Sequence, residues 1–118
     1  MSLLLHLGRT FRVGAALLAA LALASCAKPL PPERAAYVGT WIGPGMLLVI
    51  SQDGRVAYRH GSGHVVKKIN APLQEFQGDN FAVGVGPFST TFVVAAPPRQ
   101  IGGAWKMTVD GVELTRAP

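Results

Sequence analysis

From Tyr37 to the C-terminus, apolar and polar residues alternate over short stretches that Gly, Pro, Asn and Asp separate. A period of two predicts strands with one buried face, and no window keeps the 3.6-residue period of a helix. Candidate strands cover residues 37–42, 46–51, 55–60, 64–70, 73–77, 80–85, 90–95, 103–109 and 112–116. Short consecutive strands with tight turns predict an all-β fold, a small antiparallel meander that forms a barrel or sandwich of about eight strands.

The C-terminal pair of strands has a register that its side chains define. With Asp110 and Gly111 as a two-residue loop, Val109 faces Val112 and Met107 faces Leu114. This register separates an apolar face from a polar one, whereas a slip of one residue would bury charge. The predicted core face holds Trp105, Met107, Val109, Val112 and Leu114, and the outer face holds Lys106, Thr108, Glu113 and Thr115.

A second Asp-Gly pair, at Asp53 and Gly54, predicts a different turn. A two-residue loop there would pair Leu48 with Arg59, while a three-residue loop, Gln52-Asp53-Gly54 with Gly54 left-handed, keeps the apolar residues together. The bulged turn is therefore favoured, with a core face of Met46, Leu48, Ile50, Val56 and Tyr58. Ala71-Pro72 and Ala96-Pro97-Pro98 are predicted to end strands, because proline cannot donate to a ladder.

The N-terminal residues follow another pattern, since Arg9 and Arg12 precede an uninterrupted apolar run over 13–24 and no acid is present. A positive stretch, an apolar stretch and small residues together indicate a secretory signal. The following residues, Leu23-Ala24-Ser25-Cys26, resemble the signal peptidase II lipobox of bacterial lipoproteins. That resemblance implies cleavage between Ser25 and Cys26, a diacylglyceryl thioether on Cys26 and acylation of the new amino terminus. The alternative, an uncleaved signal anchor, fits less well because the apolar run is shorter than the ~20 residues of a bilayer span.

The implied cleavage site, the prolines after it and the strand pattern from Tyr37 together divide the chain into a signal peptide at 1–25, a Pro-rich tether at 26–36 and a β domain at 37–118. Prolines at 29, 31 and 32 predict a semi-extended spacer that ends in a helical turn near Tyr37. Ala27 stands where an Asp would mark inner-membrane retention in that family, so the outer membrane is the expected location, facing the periplasm. The inner membrane and the cell surface are the alternatives.

Charge and cysteine content limit the partners. The formal net charge is +5, and because two of eleven cations and none of six acids precede Cys26, the mature chain carries +3. Arg55, Arg59, Lys67 and Lys68 could form a face toward anionic lipid, peptidoglycan carboxylates or an acidic partner, or simply a solvated strand face. Nucleic acid is not an expected partner of an exported domain without interleaved exposed aromatics. Cys26 is the only cysteine, so the apolar core must hold the domain without a disulfide.

Catalytic and metal-binding patterns are weak. His60 and His64 flank a Gly-Ser-Gly loop that has no local third ligand, so no metal site is predicted. The acidic pairs are typical of turns and strand ends, and they comprise Glu75 with Asp79 and Asp110 with Glu113. We expect no enzyme and no cofactor, and the expected partners are the membrane, through Cys26, and an envelope protein or peptidoglycan.

Gly39-Thr40-Trp41 resembles the Gly-x-Trp signature near the start of lipocalin barrels. In that family the tryptophan closes one end of the barrel, whereas in any fold it can simply anchor the core. The resemblance implies an alternative to the binding or structural module, namely a carrier of a small apolar ligand. Its cavity would be lined by Trp41, Phe81, Phe92 and Trp105.

Overall fold

The structure, a computed structural model, describes residues 27–118 and confirms the all-β fold. A 3-10 helix, Pro32–Tyr37, precedes nine strands. They are β1 (Gly39–Gly43), β2 (Met46–Ile50), β3 (Arg55–Ser62), β4 (Val65–Gln77), β5 (Asn80–Val85), β6 (Phe88–Phe92), β7 (Val94–Ile101), β8 (Ala104–Val109) and β9 (Val112–Arg116). None of the helices in this part of the chain has the length and hydrophobicity that a membrane crossing needs.

All nine strands belong to one curled antiparallel sheet in the order β6-β5-β4-β3-β2-β1-β9-β8-β7. The first and last strands of this order, β6 and β7, are neighbours in sequence and only Val93 separates them. Val93 is tied to the β8–β9 turn, because its N–H donates to Asp110 Oδ1 (2.9 Å) and its carbonyl accepts from the Asp110 N–H (2.8 Å). The chain itself thus joins the two ends of the sheet in a barrel-like arrangement.

The inside of the curl is filled by apolar side chains that alternate along the strands with polar ones. The most deeply buried are Trp41, Leu48, Ile50, Val56, Phe81, Val83, Phe92, Met107, Val109 and Leu114. Burial of apolar surface is the main driving force for a domain without a disulfide. The core therefore occupies the concave face of the sheet.

Both predicted hairpin registers are confirmed. In the C-terminal hairpin Val109 pairs with Val112 and Met107 with Leu114. In the β2–β3 hairpin Ile50 pairs with Val56 and Leu48 with Tyr58, around a loop in which Gly54 has a φ of 89°. A left-handed glycine closes this bulged turn without the Cβ clash that other residues would meet.

The predicted strand ends at the prolines are wrong. Pro72 lies inside β4 and pairs with Arg55 of β3, at the point where β4 leaves β3 and begins to pair with β5 through Leu73. The other two prolines, Pro97 and Pro98, lie inside β7 where its register shifts against β8. Proline is tolerated at bulges and edges because no ladder hydrogen bond is required there. Candidate strands 64–70 and 73–77 are consequently one strand, and candidate 90–95 is divided between β6 and β7.

The curl has two ends, which we call the near edge and the far edge. The near edge carries the β2–β3 turn (51–54) and the β4–β5 turn (78–79), and the far edge carries the β1–β2 and β3–β4 turns. The 3-10 helix packs at the near edge, where the Arg34 guanidinium donates to the Gly78 carbonyl (2.8 Å) and the Tyr37 hydroxyl donates to the Asp79 carbonyl (2.9 Å). At the far edge the Gly61 N–H donates to the Gly45 carbonyl at 2.9 Å, so the two turns there adjoin.

Candidate functional site

The predicted lipidation and cleavage residues, Cys26 and Ser25, lie outside the described residues. The residues that follow them do not form a free spacer. Leu30 is buried in the core, only 5% exposed, and its N–H donates to the Gln52 carbonyl at 3.1 Å. The carbonyl of Lys28 packs so closely on Gly54 that a Cβ at position 54 would overlap it. We call residues Lys28–Leu30 the strap, because they cross the β2–β3 turn and fasten the start of the domain to the near edge.

The strap is the main feature that the sequence prediction missed. The predicted helical turn is present as the 3-10 helix Pro32–Tyr37. The prolines before it led to the prediction of an extended spacer, whereas the structure shows that this segment is docked on the domain. Leu30 is the signal that could have revealed the packing, since it is a large apolar residue between Pro29 and Pro31. Proline stiffens a segment, and a stiff segment loses little entropy when it docks on a surface.

The four aromatic residues proposed to line a cavity form two sets of contacts. Phe81 and Phe92 stack on each other with ring centroids 5.1 Å apart, and both are buried. Trp41 is fully buried and its Nε1 donates to the Tyr37 carbonyl at 2.9 Å, which fixes the ring beneath the 3-10 helix. Trp105 is half-buried, and the Arg116 guanidinium lies 4.9 Å from its ring centroid and 5.8 Å from that of Trp41. These aromatic rings thus pack within the core or against its margin.

The near edge is closed by aromatic and ionic contacts around the 3-10 helix. Tyr37 packs on Phe76 (5.0 Å between centroids), and the Arg34 guanidinium lies 4.5 Å above the Phe76 ring. Burial raises the pKa of Tyr37, and the Asp79 carboxylate raises it further, while Arg34 acts in the opposite direction. A neutral phenol that donates to a carbonyl is therefore the stable form at this edge.

Between β4 and the β5–β6 hairpin lies an apolar surface groove, which we call the open cleft. It has a volume of about 440 Å³ and is lined by Ile69, Ala71, Val83, Gly84, Val85, Phe88, Ser89 and Thr90. Phe88 is 82% exposed and Val85 is 64% exposed, although both are large apolar residues. Exposed apolar side chains that adjoin a concave surface are typical of contact sites.

The predicted basic cluster is divided between two faces. Arg59 pairs with Lys68 on the outer face, and the adjacent pair, His60 with Lys67, points to the opposite side of the sheet. Leu47 pairs with Arg59, so apolar and cationic side chains adjoin on the outer face around a cleft of about 400 Å³. The four cations therefore do not form one anion site.

The predicted absence of catalytic carboxylate pairs and metal ligands stays a prediction, but the contacts of these residues are clear. Asp110 accepts from Val93, Glu113 lies 3.5 Å from the Lys106 ammonium, and Asp79 lies 3.8 Å from Arg34. These carboxylates thus stabilise turns and strand pairs. Within residues 27–118 no cluster of three or more His, Cys, Asp or Glu is arranged to hold a metal ion.

Comparison with known proteins adds no relative. The chain matches no protein-family model, no curated protein and no solved structure. Its function is therefore inferred from its own residues.

Proposed function

We propose that the protein is an exported lipoprotein of the bacterial envelope, anchored through lipidated Cys26, whose β domain is a non-catalytic binding or structural module facing the periplasm. The observation that carries the proposal is Leu23-Ala24-Ser25-Cys26 at the end of an apolar run that follows Arg9 and Arg12. Two or three acyl chains on one residue anchor a protein stably, whereas one chain holds only marginally. The outer membrane is the proposed location.

The folded domain supports a binding or structural role through its surface. Its largest buried apolar side chains pack against one another, so the side chains available to a partner lie outside the core. They are the apolar residues beside the open cleft and the mixed apolar and cationic outer face of β2, β3 and β4. An envelope protein or peptidoglycan is the proposed partner.

The lipoprotein proposal is tested with Cys26→Ser in the full chain. We expect the wild type to sediment with membranes and to have a lipidated Cys26 as its first residue, because the thiol is the nucleophile that takes the diacylglyceryl group. Cys26→Ser should remain an unprocessed precursor, while the control, Ser25→Ala, keeps a small residue before the cysteine and should be processed normally. Intact-mass spectrometry decides between them, and an unmodified Cys26 in the mature wild type would contradict the proposal.

A carrier of a small apolar ligand is the second candidate, and the open cleft favours it. Its volume of about 440 Å³ falls within the range of small-molecule sites, roughly 300 to 1,000 Å³. If the cleft takes such ligands, Phe88→Ser should weaken binding of an apolar fluorescent dye, since Phe88 lies on its wall. Ile101→Ser is the control, because Ile101 of β7 is 44% exposed and does not line the cleft. Equal dye affinity of both variants and the wild type would exclude this cleft as a carrier site.

A further inference from the structure

We propose that the lipidated protein stands on its membrane with the near edge against the bilayer and the far edge pointing away, and that the strap Lys28–Leu30 fixes this orientation. The inference rests on the proposed lipidation of Cys26. It identifies the surface that contacts the lipid and the surface that remains free for a partner.

The length of chain between the anchor and the strap sets how far the domain can move from the membrane. Only Ala27 separates Cys26 from Lys28, and two steps of backbone span at most about 7 Å. A free tether over 26–36 could extend to roughly 35 Å and would let the domain turn in any direction. With the strap docked, the acylated residue cannot lie far from the β2–β3 turn.

The strap makes both side-chain and backbone contacts with the domain, as an integral part of the fold does. Leu30 belongs to the hydrophobic core cluster, and its N–H is bonded to the Gln52 carbonyl. On the other side of the turn the Gly54 carbonyl accepts from the Leu73 N–H at 2.8 Å, which joins the strap, the turn and β4 in one layer. Glycine at position 54 leaves space for the Lys28 carbonyl that no other residue would leave.

Charge at the near edge neither opposes nor drives this orientation. The near edge carries both signs, with Lys28, Arg34 and Arg55 near Glu33, Asp53, Glu75 and Asp79. A mixed edge gains little from anionic lipid, so the orientation should be independent of lipid charge. An orientation set by Arg59 and Lys68 would instead strengthen with anionic lipid and weaken with salt.

The far edge is the surface that this orientation leaves free. β3 runs from Arg55 at the near edge to Ser62 at the far edge, eight residues or roughly 26 Å along the strand. The β1–β2 and β3–β4 turns, joined by the bond between Gly61 and Gly45, would then face away from the anchoring membrane. A partner that reaches this edge comes from the aqueous side.

The experiment uses the full-length lipidated protein in vesicles of zwitterionic lipid that carry a quencher on the headgroup. Because the native cysteine is consumed by lipid, Gln52→Cys and His64→Cys each add one thiol for a fluorophore, at exposed positions on the near and the far edge. We expect headgroup quenching to be severalfold stronger at position 52 than at position 64, with and without anionic lipid. Equal quenching at both positions, or a reversal on adding anionic lipid, would overturn the orientation.

Variants that disrupt the contacts of the strap test whether the strap fixes the orientation of the domain on the membrane. Gly54→Ala places a Cβ on the Lys28 carbonyl, whereas Gly78→Ala also puts alanine at a left-handed φ, 62° compared with 89° at Gly54, but with no atom within 4 Å of the new Cβ. We expect Gly54→Ala to abolish the difference between the two probes and Gly78→Ala to preserve it. Leu30→Asn, which leaves the turn intact, should act as Gly54→Ala does, and circular dichroism verifies that each variant is folded. If both strap variants keep the wild-type difference, the strap does not set the orientation.

Intact mass is measured first on every sample, so that the two proposals fail separately. A chain without acyl mass on Cys26 contradicts the lipoprotein function and, with it, the orientation. An acylated chain with equal quenching at positions 52 and 64 contradicts the orientation alone.

Discussion

The two tyrosines of the chain, Tyr37 and Tyr58, are both buried, and burial raises the pKa of each above the ordinary value of 10.0. For Tyr58 the carboxylate of Asp110 raises the pKa further. A raised pKa means that the folded state holds the proton more tightly than the unfolded state does. The resulting stability is fully present below pH 10 and is lost as the pH rises through the raised pKa.

The alkaline transition should therefore depend on Tyr58. We expect Tyr58→Phe to move the midpoint of alkaline unfolding to higher pH, because one phenol no longer ionises on unfolding. Circular dichroism and phenolate absorbance, followed together as the pH rises, measure it. Tyr37→Phe is the comparison, since it also loses the bond to the Asp79 carbonyl and should have lower stability already at neutral pH. An unchanged midpoint in Tyr58→Phe would show that this phenol ionises as readily in the folded protein as in the unfolded one.

Gly54 shows how far a single residue can be interpreted from sequence. The Asp-Gly pair and the apolar pattern on either side predict its left-handed turn, and the structure confirms the turn. The same pattern contains no information on Lys28, which lies against Gly54 although 26 positions separate them. Turn geometry is local and follows from φ alone, whereas the docking of the strap depends on a surface that exists only once β2, β3 and β4 have paired.

At the scale of elements, the C-terminal hairpin was predictable because its turn and its two faces agree. Leu114 is fully buried and lies opposite Met107, whereas Thr115 accepts a bond from the Lys106 ammonium (2.9 Å) on the outer face. We expect Leu114→Ala to lower the free energy of unfolding by about 2 to 5 kcal/mol. Thr115→Ala should lower it by less than about 1 kcal/mol, since it removes one half-buried hydrogen bond. Urea unfolding measures both, and the opposite ranking would reverse the two faces of the hairpin.

The turn of this hairpin also holds the junction between β6 and β7. Asp110 adopts a φ of 48° and its carboxylate accepts from the Val93 N–H. Asp110→Ala should lower the free energy of unfolding by about 0.5 to 2 kcal/mol, because an exposed hydrogen bond to the Val93 N–H is lost and alanine is strained at positive φ. Asp110→Asn retains an acceptor and tolerates this φ, so it should be nearly neutral. Thermal unfolding of the pair tests the junction, and equal losses would show that the carboxylate bond contributes nothing.

The wrong prediction of strand ends at the prolines has a physical cause in how the strands pair. Proline lacks the N–H that a ladder needs, which is why the sequence predicts that a strand ends beside it. Pro72 instead lies where β4 exchanges one neighbour for another, so the missing donor leaves no gap. Whether a proline falls on a paired position or on a bulge depends on how the partner strands are arranged. The residues next to the proline in sequence do not determine that arrangement.

For the whole molecule, the sequence predicts the class of fold but not how the sheet curls. β4 divides its thirteen residues between β3 and β5, and β6 continues into β7 through Val93, which brings the ends of the sheet together. The first depends on where β4 exchanges β3 for β5, and the second on the contacts of Val93 with the distant β8–β9 turn. They also decide the site, because the open cleft lies between β4 and the β5–β6 hairpin, and the four aromatics predicted to line a cavity pack within the core or at its margin.

The residues before the first strand should accordingly behave as part of the domain in a stability measurement. A chain that starts at Ala27 keeps Leu30 in the core and Arg34 on the Phe76 ring, while a chain that starts at Ala36 loses both. Removing a buried leucine alone costs about 2 to 5 kcal/mol, so we expect a loss of at least that size from the shorter chain. Since small domains have total stabilities of about 5 to 15 kcal/mol, a loss of this size should move the urea midpoint of the shorter chain to a markedly lower concentration.

Point variants of the longer chain show whether the loss of stability comes from the packing of Leu30 or only from the shortening of the chain. Leu30→Ala should reproduce much of the loss, because it removes the buried side chain and keeps the backbone. Glu33→Ala, at an exposed position of the 3-10 helix, should be nearly silent. Equal urea midpoints for the chains that start at Ala27 and Ala36 would restore residues 27–35 to the role of a free tether, and the domain would then be able to turn on its anchor.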